Sequence, residues 1–284
     1  MKRPNWRQAL DAERPLLLPV AHDALSARLI ERAGFRAYSI GGFALVGSRH
    51  GLPDVGLVGL AEMSGGMRDI IAASGLPVLA DGDDGYGDAK NVTRTIRTYE
   101  QIGAAAILLE DQVAPKRCGH MAGKSVIPAE AMATKIRAAA AAREDGIFIV
   151  ARTDARAVHG LDDALRRAEL YLTSGADGIF IEAPETAEEL ARVGGEFRHV
   201  PQLANMLEGG RTPLLTPAEL FRLGFAMIAY PTTLIFRAVR TMEKALADLK
   251  AGRLTLAGEG VDFDTYKEIV GFRQWAEIED AEGR

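Results

Sequence analysis

The chain has 284 residues, enough for one large α/β domain with a sizeable core or for two small ones. Hydrophobic residues make up 48% and charged residues 26%, a globular balance, and a net charge of −5 without any basic tract argues against nucleic acid as a partner. No apolar run is long enough for a membrane span or reads as a secretory signal, and the sole cysteine, Cys118, excludes an intrachain disulfide and fits a reducing cytoplasm, the location expected.

Short apolar runs alternate with stretches of helical period along the chain. Leu16 to Val20 reads as a buried strand and Ala24 to Ala33 as its helix. Ala37 to Ile40 is a second strand, followed by a long Gly-rich connection and a helix over Leu60 to Ala73. Strands over Pro77 to Asp81 and Ala105 to Glu110 precede helices over Asn91 to Ile102 and Pro128 to Arg143. Strands over Phe148 to Arg152 and Gly178 to Glu182 precede helices over Leu161 to Ser174 and Thr186 to Val193. The last two units pair Gln202 to Asn205 with Pro217 to Leu223, and Ala226 to Tyr230 with Leu234 to Lys250.

Eight βα units in this length predict an α/β fold, a single (β/α)₈ TIM-type barrel over 1–284 with extra C-terminal helices. The rival, an open doubly wound sheet, usually shows a GxGxxG fingerprint after its first strand, and none stands here. Residues 234–284 carry more helix than one barrel needs and could pack on a neighbouring subunit.

Polar residues recur where these strands end: Asp81, Glu110, Arg152, Glu182 and Asn205. In a barrel such ends converge on one face, where active sites are built. A charge there is costly unless paired or bound to metal; any one could be a helix cap, but five in succession point to function. Asp81-Gly82-Asp83-Asp84-Gly85-Tyr86-Gly87 sets carboxylates two apart among glycines, a pattern suited to Mg²⁺ or Mn²⁺, although turns use the same residues. In Lys116-Arg117-Cys118-Gly119-His120, two cations and a histidine flank one thiol, which favours a reactive thiolate over an inert buried cysteine.

With these motifs the sequence resembles the isocitrate lyase/phosphoenolpyruvate mutase superfamily over nearly its whole length. Further carriers are Gly51-Leu52-Pro53-Asp54, Glu110-Asp111-Gln112, Ala151-Arg152-Thr153-Asp154-Ala155, Glu182-Ala183 and Ala204-Asn205-Met206. Lys116 to His120 is similar to the signature of the lyase branch, and Cys118 to Lys124 to the 2,3-dimethylmalate lyase and petal death protein group, more distantly to methylisocitrate lyase.

The resemblance implies Mg²⁺ near Asp83, with Asp54, Asp81 and Glu110 in or near its shell. It implies a substrate carboxylate held by Arg152 and by backbone around Ile40, Gly41 and Gly42, where Ser39-Ile40 stands in place of the usual Ser-Gly, with Gly119, His120 and Asn205 also touching substrate. It further implies a homotetramer made of helix-swapped dimers. The expected reaction is Mg²⁺-dependent cleavage of a 2-hydroxy dicarboxylate to a 2-oxo acid such as pyruvate plus a carboxylate. Cys118 would be the acid, with Lys116, His120, Arg152 and Glu182 around it. Alternatives on the same scaffold are a phosphonomutase or an oxaloacetate-type decarboxylase or hydrolase. Outside catalysis, the alternative is a dicarboxylate-binding protein that kept the fold.

Overall fold

The structure, a computed structural model, describes residues 5–117, 123–253 and 258–281. In chain order it runs α1 (Trp6–Ala12), β1 (Leu16–Pro19), α2 (Ala24–Arg32), β2 (Tyr38–Ile40), α3 (Gly42–His50), α4 (Leu60–Ala72), β3 (Val78–Asp81), α5 (Ala89–Ile102) and β4 (Ala106–Glu110). It continues with α6 (Ala129–Ala142), β5 (Phe148–Thr153), α7 (Ala155–His159), α8 (Leu161–Thr173), β6 (Gly178–Ile181), α9 (Ala187–Glu196), β7 (Leu203–Asn205), α10 (Pro217–Leu223) and β8 (Met227–Tyr230). Three helices close the chain: α11 (Thr233–Lys250), α12 (Phe263–Ile269) and α13 (Phe272–Ala281).

All strand pairs are parallel, in two arcs ordered β1-β8-β7 and β2-β3-β4-β5-β6. Single parallel bridges join the arcs at both seams, Val20 to Ser39 and Ile179 to Gln202, so the eight strands close into the expected barrel. Strands buried on both faces explain their unbroken apolar runs. Leu16, Leu18, Leu79, Leu108, Phe148, Val150, Phe180 and Met227 fill the interior, while Ile40, Val78, Ile107 and Ile149 face the helices.

Three helices differ from the expectation. Helix α1 is too short for its period to show, yet Trp6, Ala9 and Leu10 pack into the interior cluster and plug the barrel floor. Helix α3 replaces part of the Gly-rich connection: Ala44, Leu45 and Val46 are buried, and burial outweighs the cost of its glycines. Helix α7 is a single short turn after β5.

The extra C-terminal helices are present. None of α11, α12 and α13 buries a residue, and Val239, Met242, Leu246, Leu249, Phe263, Phe272 and Trp275 are exposed. Arg32 to Glu268, at 3.2 Å, ties α12 to α2. Among the described residues, no helix is long and apolar enough to cross a membrane.

Candidate active site

The turn after β3 is shaped by sterics. A Cβ at Gly82 would lie 2.8 Å from the Leu108 carbonyl oxygen and from the Ile107 side chain, so only glycine lets the chain pass. Asp83 then takes φ 46, a left-handed conformation that is costly for a residue with a Cβ and that clusters at functional sites. The turn is clamped from behind. The Tyr99 hydroxyl donates to the Asp81 carbonyl at 2.8 Å, and Lys135 Nζ donates to the Asp84 carbonyl at 2.7 Å. From the front, the Asp83 amide donates to Asp81 Oδ1 at 3.0 Å.

Lys116 is the centre of the acidic group. Its ammonium stands 2.5 Å from Asp54 Oδ1 and 2.7 Å from Asp83 Oδ1, with the residue only 7% exposed. The first turn of α3 joins it: the Gly42 amide donates to Asp81 Oδ2 at 2.9 Å. A Cβ on Gly42 would sit 3.3 Å from Asp54 Oδ1, Asp81 Oδ2 and Lys116 Nζ alike. Burial, outweighing the neighbouring ammonium, pushes the Asp83 carboxyl up to about 7. Burial opposes the charge on Lys116 itself, but Asp83, Asp81, Glu110 and Asp54 overcome that and hold its proton far more tightly than usual.

Across the cavity, Arg152 at the end of β5 faces three carboxylates. Its Nε lies 2.9 Å from Asp154 Oδ2 and 3.4 Å from Glu110 Oε2, and its Nη2 lies 3.0 Å from Glu182 Oε2. The guanidinium also stacks over Phe180 at 5.3 Å. Asp154 is shared, since Lys124 Nζ reaches its Oδ1 at 2.6 Å. Glu110 is 3% exposed and its Oε1 has no hydrogen-bond partner. Burial holds its carboxyl well above the usual range against the pull of Arg152. Glu182 precedes Ala183, which takes φ 55, and the Ala183 amide donates to Glu182 Oε1 at 3.0 Å.

These groups line a cavity of about 490 Å³ at the C-terminal ends of the strands. Of the residues expected from sequence, Gly41, Gly42, Asp54, Asp81, Glu110, Lys116, Arg152, Glu182 and Asn205 line it together. Asp83 stands behind them on Lys116, and the Ile40 side chain lies in the core, so only its backbone is near the site. Cys118, Gly119 and His120 lie outside the described residues. The Gln112 side chain clamps the chain next to them: it donates to the Arg117 carbonyl and accepts from the Arg117 amide, both at 2.8 Å.

Sequence reasoning missed Asp154 as a partner of Arg152 and Lys124 as a partner of Asp154, although both stand in the quoted motifs. It also missed an apolar wall of Phe43, Leu207, Pro231 and Phe236, and Thr232, whose buried hydroxyl has no partner.

The oxygen donors suit a hard cation such as Mg²⁺. Five buried carboxylates (Asp54, Asp83, Glu110, Asp154, Glu182) and the half-buried Asp81 meet three cations (Lys116, Lys124, Arg152), and Glu110 Oε1 is an oxygen without a hydrogen-bond partner. As the side chains stand, the acids surround the Lys116 ammonium. No three metal-binding side chains among the described residues are gathered to hold an ion.

A closed α/β barrel with a charged cavity at its C-terminal mouth defines a barrel enzyme. The family model described as phosphoenolpyruvate phosphomutase matches residues 7–250. The chain is 44% identical over 278 residues to 2,3-dimethylmalate lyase of Eubacterium barkeri, spanning 97% of this chain and 96% of that protein. It is 42% identical over 265 residues to a 2-methylisocitrate lyase of Halalkalibacterium halodurans, spanning 93% and 87%. A solved 2,3-dimethylmalate lyase, described as a PEP mutase/isocitrate lyase superfamily member, superposes with a TM-score of 0.91 at 33% identity, covering 98% of this chain and 94% of that one. The chain belongs to the phosphoenolpyruvate phosphomutase family, within the PEP mutase/isocitrate lyase superfamily. Within it, the protein is a carbon–carbon lyase.

Proposed function

We propose that the protein cleaves the C2–C3 bond of an alkyl-substituted 2-hydroxy dicarboxylate, of the 2-alkylmalate or methylisocitrate type. The products are a 2-oxo acid such as pyruvate and a carboxylate. The observation that carries this reading is the cavity's division. One side gathers buried carboxylates, Lys116 and Arg152, while the other is the apolar wall of Phe43, Leu207, Pro231 and Phe236, which suits alkyl branches.

Asp54, Asp81, Asp83 and Glu110 would hold Mg²⁺, with Mn²⁺ as a substitute. When bound, the metal would supply Lewis-acid stabilisation of charge at the substrate 2-oxygen. The residues of the chain do the rest. Arg152 lines the cavity with its guanidinium held by carboxylates at Nε and Nη2, and it would anchor a substrate carboxylate there. The Gly41 and Gly42 backbone and Asn205 border the same space and orient the other end. The 2-hydroxyl gives its proton to a neighbouring carboxylate or to water, its oxygen becomes the carbonyl, the C2–C3 electron pair passes to C3, and a proton must reach that carbon. Cys118 is assigned as its donor from the sequence, with Lys116 and His120 balancing charge.

The unburied apolar faces of α11, α12 and α13 support a homotetramer of helix-swapped dimers. A lone cysteine supports a cytoplasmic location.

The test is a panel of 2-hydroxy dicarboxylates with graded alkyl groups, scored for 2-oxo acid release. Release from at least one member, abolished by chelator and restored by Mg²⁺, is expected. Cys118→Ser should keep fold and metal binding but lose about 10²–10⁴-fold in rate. Metal-replete protein that releases no 2-oxo acid from any member rejects the reading.

A further inference from the structure

We infer that Lys124 is a positioning residue for substrate recognition: through Asp154 it sets the orientation and charge balance of Arg152. The inference rests on the reading of Arg152 as a carboxylate anchor. Lys124 belongs to no part of the reaction described above, and it stands six residues beyond Cys118. Yet its side chain is 3% exposed, and Asp154 is fully buried. An ammonium taken so far out of water is costly unless its environment repays it.

Asp154 is built to be immobile. Its amide donates to Asp111 Oδ1 at 3.0 Å. Asp111 Oδ2 in turn accepts from Thr153 Oγ1 at 2.7 Å, from the Tyr171 hydroxyl at 2.8 Å and from Arg167 Nη1 at 3.1 Å. With its back fixed, Asp154 presents two oxygens. Oδ2 takes Arg152 Nε at 2.9 Å, while Oδ1 takes both Arg152 Nη2 at 3.1 Å and Lys124 Nζ at 2.6 Å. Lys124 therefore competes with the guanidinium for one oxygen and offsets the aspartate's charge.

That offset matters for a ligand. Arg152 alone faces Asp154, Glu182 and Glu110, three carboxylates against one cation, and an incoming dianion meets their repulsion. Lys124 cancels one of the three. Without it, Asp154 closes on Arg152, and the site is one unit more negative when the substrate arrives. The base of the segment is held separately, by the Val113 amide to the Ser125 carbonyl at 2.9 Å and the Ile127 amide to the Asp111 carbonyl at 2.8 Å. The ion pair is thus not the only staple there.

The experiment uses full-length protein with saturating Mg²⁺ and measures binding of oxalate, a dianion, and acetate, a monoanion, by calorimetry. Lys124→Met should weaken oxalate by about tenfold or more, acetate much less, and raise KM more than it lowers kcat. Lys124→Arg keeps the charge and should return oxalate affinity to within about threefold of wild type. Thermal melts establish that each variant is folded; if Lys124→Met is not, Lys124→Gln against Lys124→Arg makes the same comparison. Unchanged oxalate affinity in the neutral variant overturns the inference, as does Lys124→Arg failing as badly as Lys124→Met. The reading of Arg152 fails separately: oxalate would then bind Arg152→Met as tightly as wild type.

Discussion

Replacing Arg152 by methionine isolates the guanidinium's contribution, because methionine matches the length of its stem and none of its charge. The side chain is buried and pairs with Asp154, Glu182 and Glu110 within 3.4 Å. Breaking one partner out of a buried ionic group costs about 3–5 kcal/mol, since the remaining charges are left without compensation. Two features moderate that figure here. Lys124 still pairs with Asp154, and burial already disfavours ionised Glu110. Taking the lower end, about 3 kcal/mol, at roughly 2–4 °C per kcal/mol for a chain of this size, Arg152→Met should melt about 6–12 °C below wild type. The deficit should also depend on pH. Glu110, which burial already holds above the usual range, loses the pull of Arg152 in the variant, so its penalty is complete above its folded-state pKa and fades as pH falls from there to its unfolded value. Differential scanning calorimetry at neutral and acidic pH measures both effects, and product release measures the loss of the anchor. A variant that melts within 2 °C of wild type at neutral pH would refute the reasoning, because the carboxylates would then need no guanidinium.

Gly42→Ala places a methyl 3.3 Å from Asp54, Asp81 and Lys116 together. Steady-state kinetics should show at least about a tenfold loss in kcat/KM at unchanged far-ultraviolet circular dichroism. Glu110→Gln removes a carboxylate that burial already penalises, so the metal-free melting temperature should not fall, while calorimetric Mg²⁺ affinity should. Mg²⁺ at a hundredfold excess over its Kd should stabilise the wild type by about 2.7 kcal/mol. Light scattering should report a tetramer, and Leu246→Asp with Trp275→Asp, on the exposed helices, should give a smaller species; a monomer in the wild type removes the assembly proposal.

The barrel is legible because its strands are buried on both faces and its helices on one, so composition alternates with each element. The cavity is legible for a related reason. Asp81, Glu110, Arg152 and Glu182 each break an apolar run at its end, where a charge has no purpose in a core. What sequence conceals is pairing across distance. Arg152 reads as a free anchor for a carboxylate, yet it stands among three carboxylates that it must be drawn away from. Lys116 reads as a neighbour of Cys118, yet its ammonium occupies the middle of the acids expected to hold metal. Helix α3 was hidden by Gly41, Gly42 and Gly47, which read as a loop, although Gly42 is needed for a different reason: a Cβ there would crowd the charges.

A shared cause lies behind these omissions. Burying several like charges together is unfavourable unless cations sit among them, and the chain takes those cations from different segments. Lys116 comes from the segment after β4, Lys124 from the end of that segment, and Arg152 from β5. The acids outnumber these cations, and burial pushes the Asp83 carboxyl up to about 7 and holds that of Glu110 above the usual range. A site left short of positive charge in this way is one that a divalent cation would stabilise. Metal binding should therefore release protons, a fraction of which comes from Asp83 and Glu110. Calorimetric titration of Mg²⁺ in buffers of different ionisation enthalpy counts them. A heat that does not vary with buffer would mean that both carboxyls are ionised before metal arrives, and the charge deficit argued here would not exist.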